Sequence, residues 1–529
     1  MVRGLLSGGI LILCVAAGRA EEVALPMRDG KTLAAELFLP PTPGRTATVL
    51  IQTPYDKRRL SAAIAGDRSG GGESGRGALS DLQLLVDRDH YAYVVVDWRG
   101  FFGSRAAMAG VQRRSWRRGQ DGYDCVEWIA NQPWSDGRVG TWGGSALGRQ
   151  QFDTAAEQPP HLVCCVPLIA GMGTHYEEFY EGGVLLEAHV ERLDQLGFGV
   201  SRMVRSAPLP TSPAWSLVER MTDRPERITV PCLLITGWWD NHPARILATF
   251  DAIGSKGGPG AREGSKLLVG PWDHVGVGVA EQGALRFDGA ALESGRAAKA
   301  FLDYHLRGVR DNGWAEVDRV RWWQLGEECW KGAESWSALP RGHIACDAAF
   351  SRALIRHDPR RPSPTLGGAN LPPLPHGPTR HESLDAREDV AVLSVPGPLA
   401  LLGEAELTLR ATANRPDYNL SARLCVRRAD GGTTLLCDSA LRLARRNGGD
   451  DPVAPGESCE LTLRFPPTAI ALCEGEELRV YLSPSNWPRY ERHTHTDAPH
   501  WDEAGALDLE LVFEGKARLE LPCPARKAE

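Results

Sequence analysis

The sequence predicts an α/β fold: a mostly parallel sheet with helices on both faces, interrupted by a helical insertion and followed by a separate β-sandwich. Three observations predict it. Apolar strand-like runs alternate with helical patterns over residues 46–169 and again over 231–306, as in successive βαβ units. From Gly171 to about Arg227 this alternation stops, and two helical stretches flank a proline-rich loop. After about Val317 long helical patterns vanish and short strands alternate with turns.

Length and composition fit that division. The chain has 529 residues, with 42% hydrophobic and 24% charged residues, the balance of a globular protein. A net charge of −7 gives no reason to expect nucleic acid or an anionic membrane as partner. The first twenty residues read as an export signal. Arg3 supplies the positive start, Leu5 to Ala17 a short apolar core, and Gly18-Arg19-Ala20 the small residues read at cleavage. Leu13 before Cys14 is too bulky for a lipoprotein signal. No later apolar run is long enough for a membrane span. The mature chain is therefore expected to be secreted or periplasmic, without an anchor.

The organisation is then residues 1–20 as signal, 21–170 and 229–316 as the two parts of the core, 171–228 as a helical cap, and 317–529 as the β domain. Twelve cysteines are present, and an odd number remains after cleavage at Ala20. Cys164 and Cys165 sit in an apolar run and read as core. Cys425 and Cys437 flank the Asp430-Gly431-Gly432 turn symmetrically. A disulfide across that hairpin and two free thiols both fit.

Taken in order, Val23 to Pro40 reads as a hairpin turning at Asp29-Gly30, and Thr46 to Thr53 as a strand. Ser69 to Gly77 is a glycine-rich loop without phosphate-loop spacing. Leu79 to Arg88 is helical in period, and Tyr91 to Asp97 is a buried strand. Asp121 to Asn131 carries Tyr123, Val126, Ile129 and Ala130 on one helical face. Leu162 to Ile169 is a strand, and Leu185 to Leu196 and Trp215 to Met221 are cap helices. Pro231 to Thr236 and Lys266 to Val269 are strands, and Ala290 to Leu306 is a closing helix. In the β domain, Val320 to Leu325, Ala405 to Ala411, Ser421 to Val426, Cys459 to Phe465 and Leu478 to Ser483 read as strands.

The chemistry starts at Gly143-Gly144-Ser145, where an apolar run meets a helical pattern. This has the shape of a nucleophile elbow, in which a strained strand-to-helix turn lifts a serine hydroxyl above the sheet. The usual Gly-x-Ser-x-Gly is met at Gly143 and Ser145, but the second glycine falls one place late, at Gly148. Asp240 and His274 each follow a predicted parallel strand. The ends of such strands converge on one edge, and Ser, Asp, His is the α/β-hydrolase chain order. His274 would take the serine proton, and Asp240 would hold its tautomer. His242, two residues after Asp240, fits the order less well. The Ala146 amide is one oxyanion donor. The loop after Thr53 carries no glycine-rich oxyanion motif, but it does carry Tyr55, whose hydroxyl can donate.

Matching segments extend along nearly the whole chain: Met27-Arg28-Asp29-Gly30, Thr53-Pro54-Tyr55-Asp56-Lys57, Asp97-Trp98-Arg99-Gly100, Trp128 to Gly140, and Gly143 to Gly148. They continue with Gly237-Trp238-Trp239-Asp240, Gly270-Pro271-Trp272-Asp273-His274, Asp358-Pro359 with Pro362 to Gly368, Ala386 to Val390, and Ser485 to Tyr490. On these the chain resembles the group of cocaine esterase, α-amino-acid ester hydrolases and Xaa-Pro dipeptidyl peptidases. The resemblance implies an α/β-hydrolase core, a helical cap and a C-terminal jelly roll, with Tyr55 and the Ala146 amide as oxyanion hole. Gly148 fits that group's own spacing. Ala146 stands where the group usually has tyrosine, which removes a ring from the pocket.

The resemblance also implies what is missing. The amino-ester hydrolases hold a substrate ammonium with a Glu-Asp pair soon after the catalytic aspartate, and here Asn241-His242-Pro243 follows. Glu177 and Glu178 in the cap could replace the pair, although adjacent surface glutamates are usually only solvated. Trp142, Trp238, Trp239 and Trp272 lie near the triad ends and are taken to wall an apolar acyl pocket, although packing of several of them under the loops fits equally. His493, His495 and His500 lack an accompanying cysteine or acidic pattern and do not read as metal ligands. No cofactor or metal is expected. The reading is a serine hydrolase acting on a small-molecule ester, with peptidase or amidase activity as the alternative and a binding protein as the remote one. The oligomeric state stays open.

Overall fold

The computed structural model describes residues 20–66, 82, 84–112, 116–339, 341–496 and 502–524. The predicted export signal before Ala20, the glycine-rich loop 69–77, residues 79–81 and 83 of segment 79–88, and His500 lie outside the described residues.

Among the described residues the largest sheet has ten strands. They are β1 (Glu21–Pro26), β2 (Thr32–Phe38), β3 (Thr46–Thr53), β4 (Tyr91–Asp97), β5 (Ser135–Gly144), β6 (Leu162–Leu168), β7 (Leu233–Trp239), β8 (Lys266–Asp273), β9 (Val320–Gln324) and β10 (Cys329–Ala333). In space they run β1-β2-β4-β3-β5-β6-β7-β8-β9-β10. Neighbours from β4 to β9 are parallel, and antiparallel hairpins close both ends. The inner strands are buried on both faces, which is why Tyr91–Asp97 reads as an unbroken apolar run rather than an alternating one. The order reverses at β3, between β4 and β5. That switch opens a crevice beyond the strand ends.

The helices are α1 (Lys57–Ile64), α2 (Arg118–Ala130), α3 (Ala146–Ala156), α4 (Glu187–Gln195), α5 (Ser201–Ser206), α6 (Pro213–Thr222), α7 (Pro243–Lys256), α8 (Pro259–Gly264) and α9 (Glu293–Leu302). Helix α7 was not expected, although its signal is present. Pro243 opens it, Gly257 follows it, and Ile246, Leu247, Phe250 and Ile253 form its buried stripe. The closing helix is shorter than expected: after Leu302 it widens into one π-type turn, Asp303–Arg307. In the cap, Tyr176, Phe179, Tyr180, Val190, Val204 and Trp215 make a separate small core. It roofs the strand ends, with Phe179, Leu193, Phe198 and Met203 in one pocket with Ser145.

Val320–Gln324 was expected in the β domain. It instead pairs in parallel with β8 and extends the main sheet, with Cys329–Ala333 behind it. A short edge strand and a sandwich strand have the same local pattern, and only the partner distinguishes them. From Arg341 onward the sheets are antiparallel. One contains Arg341–Ala349, Leu354–His357, Glu406–Ala413, Ser458–Arg464 and Leu509–Pro524. The other contains Ala391–Pro396, Asn419–Arg427, Thr433–Arg442 and Glu477–Ser483. They form a β-sandwich. Glu406–Ala413 alternates, burying Leu407, Leu409, Ala411 and Ala413. Thr433–Arg442 is buried throughout, because its outer side packs on the α/β part: Trp239 Nε1 donates to Leu435 O at 3.1 Å.

The possible hairpin disulfide does not form. Cys425 pairs with Leu435, and Cys437 pairs with Leu424 across a bulge, so the two thiols lie in different apolar clusters. His493 and His495 are also structural. His493 Nε2 meets Asp417 Oδ2 at 3.1 Å, and His495 Nδ1 meets Leu507 O at 2.7 Å.

The motifs at the strand ends form a polar lattice. Arg99, after β4, bonds Asp121 at 2.7 and 2.9 Å and Asp29 at 2.8 Å. The Lys57 amide donates to Asp97 Oδ1 at 2.7 Å, and Lys57 Nζ meets Glu36 at 2.9 Å. Arg99→Leu is expected to cost about 3–5 kcal/mol, because Asp121 would stay buried without its cation. Guanidinium chloride unfolding of the two proteins measures this, and an unchanged midpoint would contradict it.

Candidate active site

Ser145, Asp240 and His274 each occupy the first position after a parallel strand: β5 ends at Gly144, β7 at Trp239 and β8 at Asp273. Ser145 has φ 57 and ψ −121, a left-handed region that costs energy outside glycine. The strain is tolerated because the Ser145 amide donates to Leu168 O at 2.9 Å and the Ser145 carbonyl starts α3, accepting from the Arg149 amide at 3.0 Å. Two glycines make room for the turn. A Cβ on Gly143 (φ +147) would lie 2.6 Å from Leu147 Cβ, and one on Gly148 2.6 Å from Ala170 Cβ. The late glycine is thus a packing requirement of α3 against the loop after β6.

His274 Nε2 stands 3.1 Å from Ser145 Oγ, and His274 Nδ1 stands 2.6 Å from Asp240 Oδ1. Asp240 is buried. Its Oδ2 accepts from Thr236 Oγ1 at 2.8 Å, and its Oδ1 also accepts from the Asn241 amide at 2.6 Å. The turn carrying His274 is tied down separately. Asp273 Oδ1 accepts from the Val275 and Gly276 amides, and its Oδ2 meets His376 Nδ1 at 2.5 Å. His376 comes from the segment between the sandwich strands Leu354–His357 and Ala391–Pro396, so the β domain helps to hold His274 in place.

Tyr55 lies two residues beyond β3, across the crevice from Ser145. Burial raises its phenol above the ordinary pKa, and contacts of the hydroxyl with the Ser145 side chain and the Ala146 backbone oppose that rise. Tyr55 and Ala146 therefore converge on the serine. His242 lines the same pocket but makes an edge-on ring contact with His189 at 5.3 Å instead of reaching Ser145. Burial pushes His189 down to about 3 and His242 well below the ordinary value, so both are neutral imidazoles.

The pocket over Ser145 encloses about 300 Å³. Its apolar side comes largely from the cap, with Phe179, Leu193, Phe198 and Met203, and Tyr55 and Trp98 pack against Phe198. Leu371 reaches it from the same segment of the β domain as His376. The four tryptophans expected to wall it do not. Trp142, Trp238, Trp239 and Trp272 are buried inside the strands and turned away from the serine. Trp238 bonds Trp323 O, Trp239 stacks on Phe287, and Trp272 packs on Trp330. They cement the sheet to its last strands and to the sandwich.

Glu177 is exposed, as surface glutamates usually are, but Glu178 is 3% exposed, lines the pocket and is paired with Arg149. The signal for its burial was its aromatic surroundings, Tyr176, Phe179 and Tyr180. Ligand atoms of His175, Glu177 and Glu219 lie within 4.8 Å of one another, with Arg245 Nη2 already 2.6 Å from His175 Nε2.

Residues 29–212 and 209–276 match the model of the X-Pro dipeptidyl-peptidase (S15) family, and residues 379–518 match the X-Pro dipeptidyl-peptidase C-terminal non-catalytic domain. Cocaine esterase from Rhodococcus sp. (strain MB1 Bresler) is 26% identical over 557 aligned residues, spanning 90% of this chain and 92% of its own. The chain belongs to the α/β-hydrolase family of cocaine esterase and the X-Pro dipeptidyl peptidases. It is accordingly a serine hydrolase. The fold is shared with an aminopeptidase from a marine sediment archaeon, Thaumarchaeota archaeon (18% identity, TM-score 0.78, 98% of each chain). It is also shared with an α-amino acid ester hydrolase (18% identity, TM-score 0.75, 97% of this chain and 98% of the other). Among the described residues, no helix of this family member is long and apolar enough to cross a membrane.

Proposed function

We propose that this hydrolase cleaves small carboxylic esters through an acyl-enzyme on Ser145. The observation that carries the reading is the relay from Ser145 Oγ to His274 Nε2 at 3.1 Å and from His274 Nδ1 to Asp240 Oδ1 at 2.6 Å. With Nδ1–H donated to Asp240, Nε2 is free to accept the serine proton as Oγ attacks the ester carbonyl. The Tyr55 hydroxyl and the Ala146 amide meet the resulting oxyanion. His274 then protonates the departing alkoxide, and a water activated by the same nitrogen releases the acid. Tyr55→Phe is expected to lower kcat by about 100- to 1,000-fold, the scale of one lost oxyanion donor. Turnover of a 4-nitrophenyl ester reads it, and an unchanged kcat would remove Tyr55 from the oxyanion hole.

Ester cleavage is favoured over release of an Xaa-Pro dipeptide by the state of the pocket's carboxylates. Glu178 is held by Arg149 and Asp240 by His274, so neither is free to hold an amino terminus. A panel of 4-nitrophenyl acetate, butyrate and benzoate, a phenylglycine methyl ester and an Xaa-Pro anilide tests this. Cleavage of the simple esters supports the reading, and cleavage of the anilide alone replaces it with the peptidase. In the same reading residues 1–20 direct export. Residues 21–170 and 229–316 with β9 and β10 form the catalytic part, 171–228 the cap, and the chain from Arg341 a jelly roll. An amino terminus at residue 21 on protein recovered outside the cytoplasm is the expected sign of export.

A further inference from the structure

Glu178, Asn241, His242 and Arg245 all line the Ser145 pocket. In each, one buried polar atom has no hydrogen-bond partner among the described residues: Glu178 Oε1, Asn241 Oδ1, His242 Nε2 and Arg245 Nε. Buried polar atoms are nearly always paired, so four such atoms among the lining residues of one pocket point to partners supplied by a ligand. Glu178 is the most constrained of them. Its Oε2 accepts from Arg149 Nη2, and Arg149 Nη1 is fixed to Gly173 O at 2.8 Å. Arg149 stands one helical turn after Ser145, its amide bonded to the Ser145 carbonyl. The position of Glu178 is therefore referenced to the serine through a single turn of α3.

The geometry points to Glu178 as a specificity-determining residue that accepts, at Oε1, a hydrogen bond from a neutral hydroxyl or amide N–H of the substrate. This rests on the ester-hydrolase reading of the site and refines its substrate class. A neutral donor is preferred to an ammonium because no carboxylate lining the pocket is uncompensated. Glu178 has Arg149, both oxygens of buried Asp240 already accept hydrogen bonds, and the guanidinium of Arg245 lines the same pocket. An ammonium would lose its hydration with no unpaired anion to replace it. The group is also unlike the plain apolar wall that four tryptophans would have made.

The test compares 4-nitrophenyl esters of phenylacetate, mandelate, 4-hydroxyphenylacetate and phenylglycine, each corrected for its rate of alkaline hydrolysis. One of the two hydroxyl esters is expected to exceed phenylacetate in kcat/KM by about 10- to 100-fold, the range for a hydrogen bond to a charged group. The ammonium ester is expected to show no such gain. Glu178→Gln should abolish the preference, because its amide oxygen would turn to Arg149 and leave an N–H facing the substrate donor. The double variant Arg149→Met with Glu178→Leu, which leaves no unpaired buried charge, should do the same.

Binding keeps the two readings apart. On Ser145→Ala protein, calorimetry with mandelamide, 4-hydroxyphenylacetamide and phenylacetamide is expected to rank a hydroxyl amide first. Ester turnover with no hydroxyl preference in rate or binding overturns the role of Glu178 and leaves the esterase standing. A hydroxyl preference in binding with no ester turnover does the reverse. A preference that survives both variants also overturns the role of Glu178.

Discussion

Ser145→Ala is expected to lower kcat against 4-nitrophenyl esters by about a millionfold, the loss seen when a triad nucleophile is removed. The size follows from the geometry. Ser145 sits on a strained turn that aims Oγ at His274 Nε2, 3.1 Å away. His242 and His189 are neutral imidazoles in the same pocket, but they face each other and not the site of attack. The oxyanion donors and the apolar walls remain in the variant, so a residual rate above water is expected from them alone. A fluorophosphonate probe should label the wild type at Ser145 and not label the variant. If the variant keeps more than about a thousandth of the rate, another nucleophile is at work and the assignment fails.

Asp240→Asn is the second large effect, with an expected loss of about 10,000-fold in kcat and little change in fold. Asp240 Oδ1 accepts from His274 Nδ1 at 2.6 Å, which keeps the proton off Nε2. The Asn241 amide and the Thr236 hydroxyl both donate to the same carboxylate, so an asparagine there would orient under their demand for acceptors. Because the Asn241 amide needs an oxygen at the Oδ1 place, the new NH₂ would take the Oδ2 place against the Thr236 hydroxyl, which can turn to accept it, and His274 would lose the anion that stabilises its protonated form. Stopped-flow measurement of acylation should show the deficit in the chemical step while KM stays within a few-fold. A kcat loss under tenfold would mean that Asp240 is only a helix-entry residue.

Much of this protein is determined by local pattern. The parallel strands are legible because strands buried on both faces must be apolar throughout, and the elbow because only small residues tolerate its turn. The order Ser145, Asp240, His274 is legible because each follows such a strand directly. Helix α7 was legible too, from Pro243, Gly257 and the stripe between them. What the tertiary structure alone decided are relations between distant segments. The pattern of Val320–Gln324 suits any edge strand, and only its parallel partner β8 placed it in the catalytic sheet. The four tryptophans are near the triad in sequence, yet both faces of their strands are covered, so their rings lie in the core, with consecutive Trp238 and Trp239 on opposite faces. Glu178 reads as solvated until the cap folds over the strand ends and Arg149, one turn beyond the serine, meets it. Sequence spacing determines which side of a strand or helix a residue takes. What that side faces depends on which distant element packs there, and burial, partners and pocket walls all follow from that.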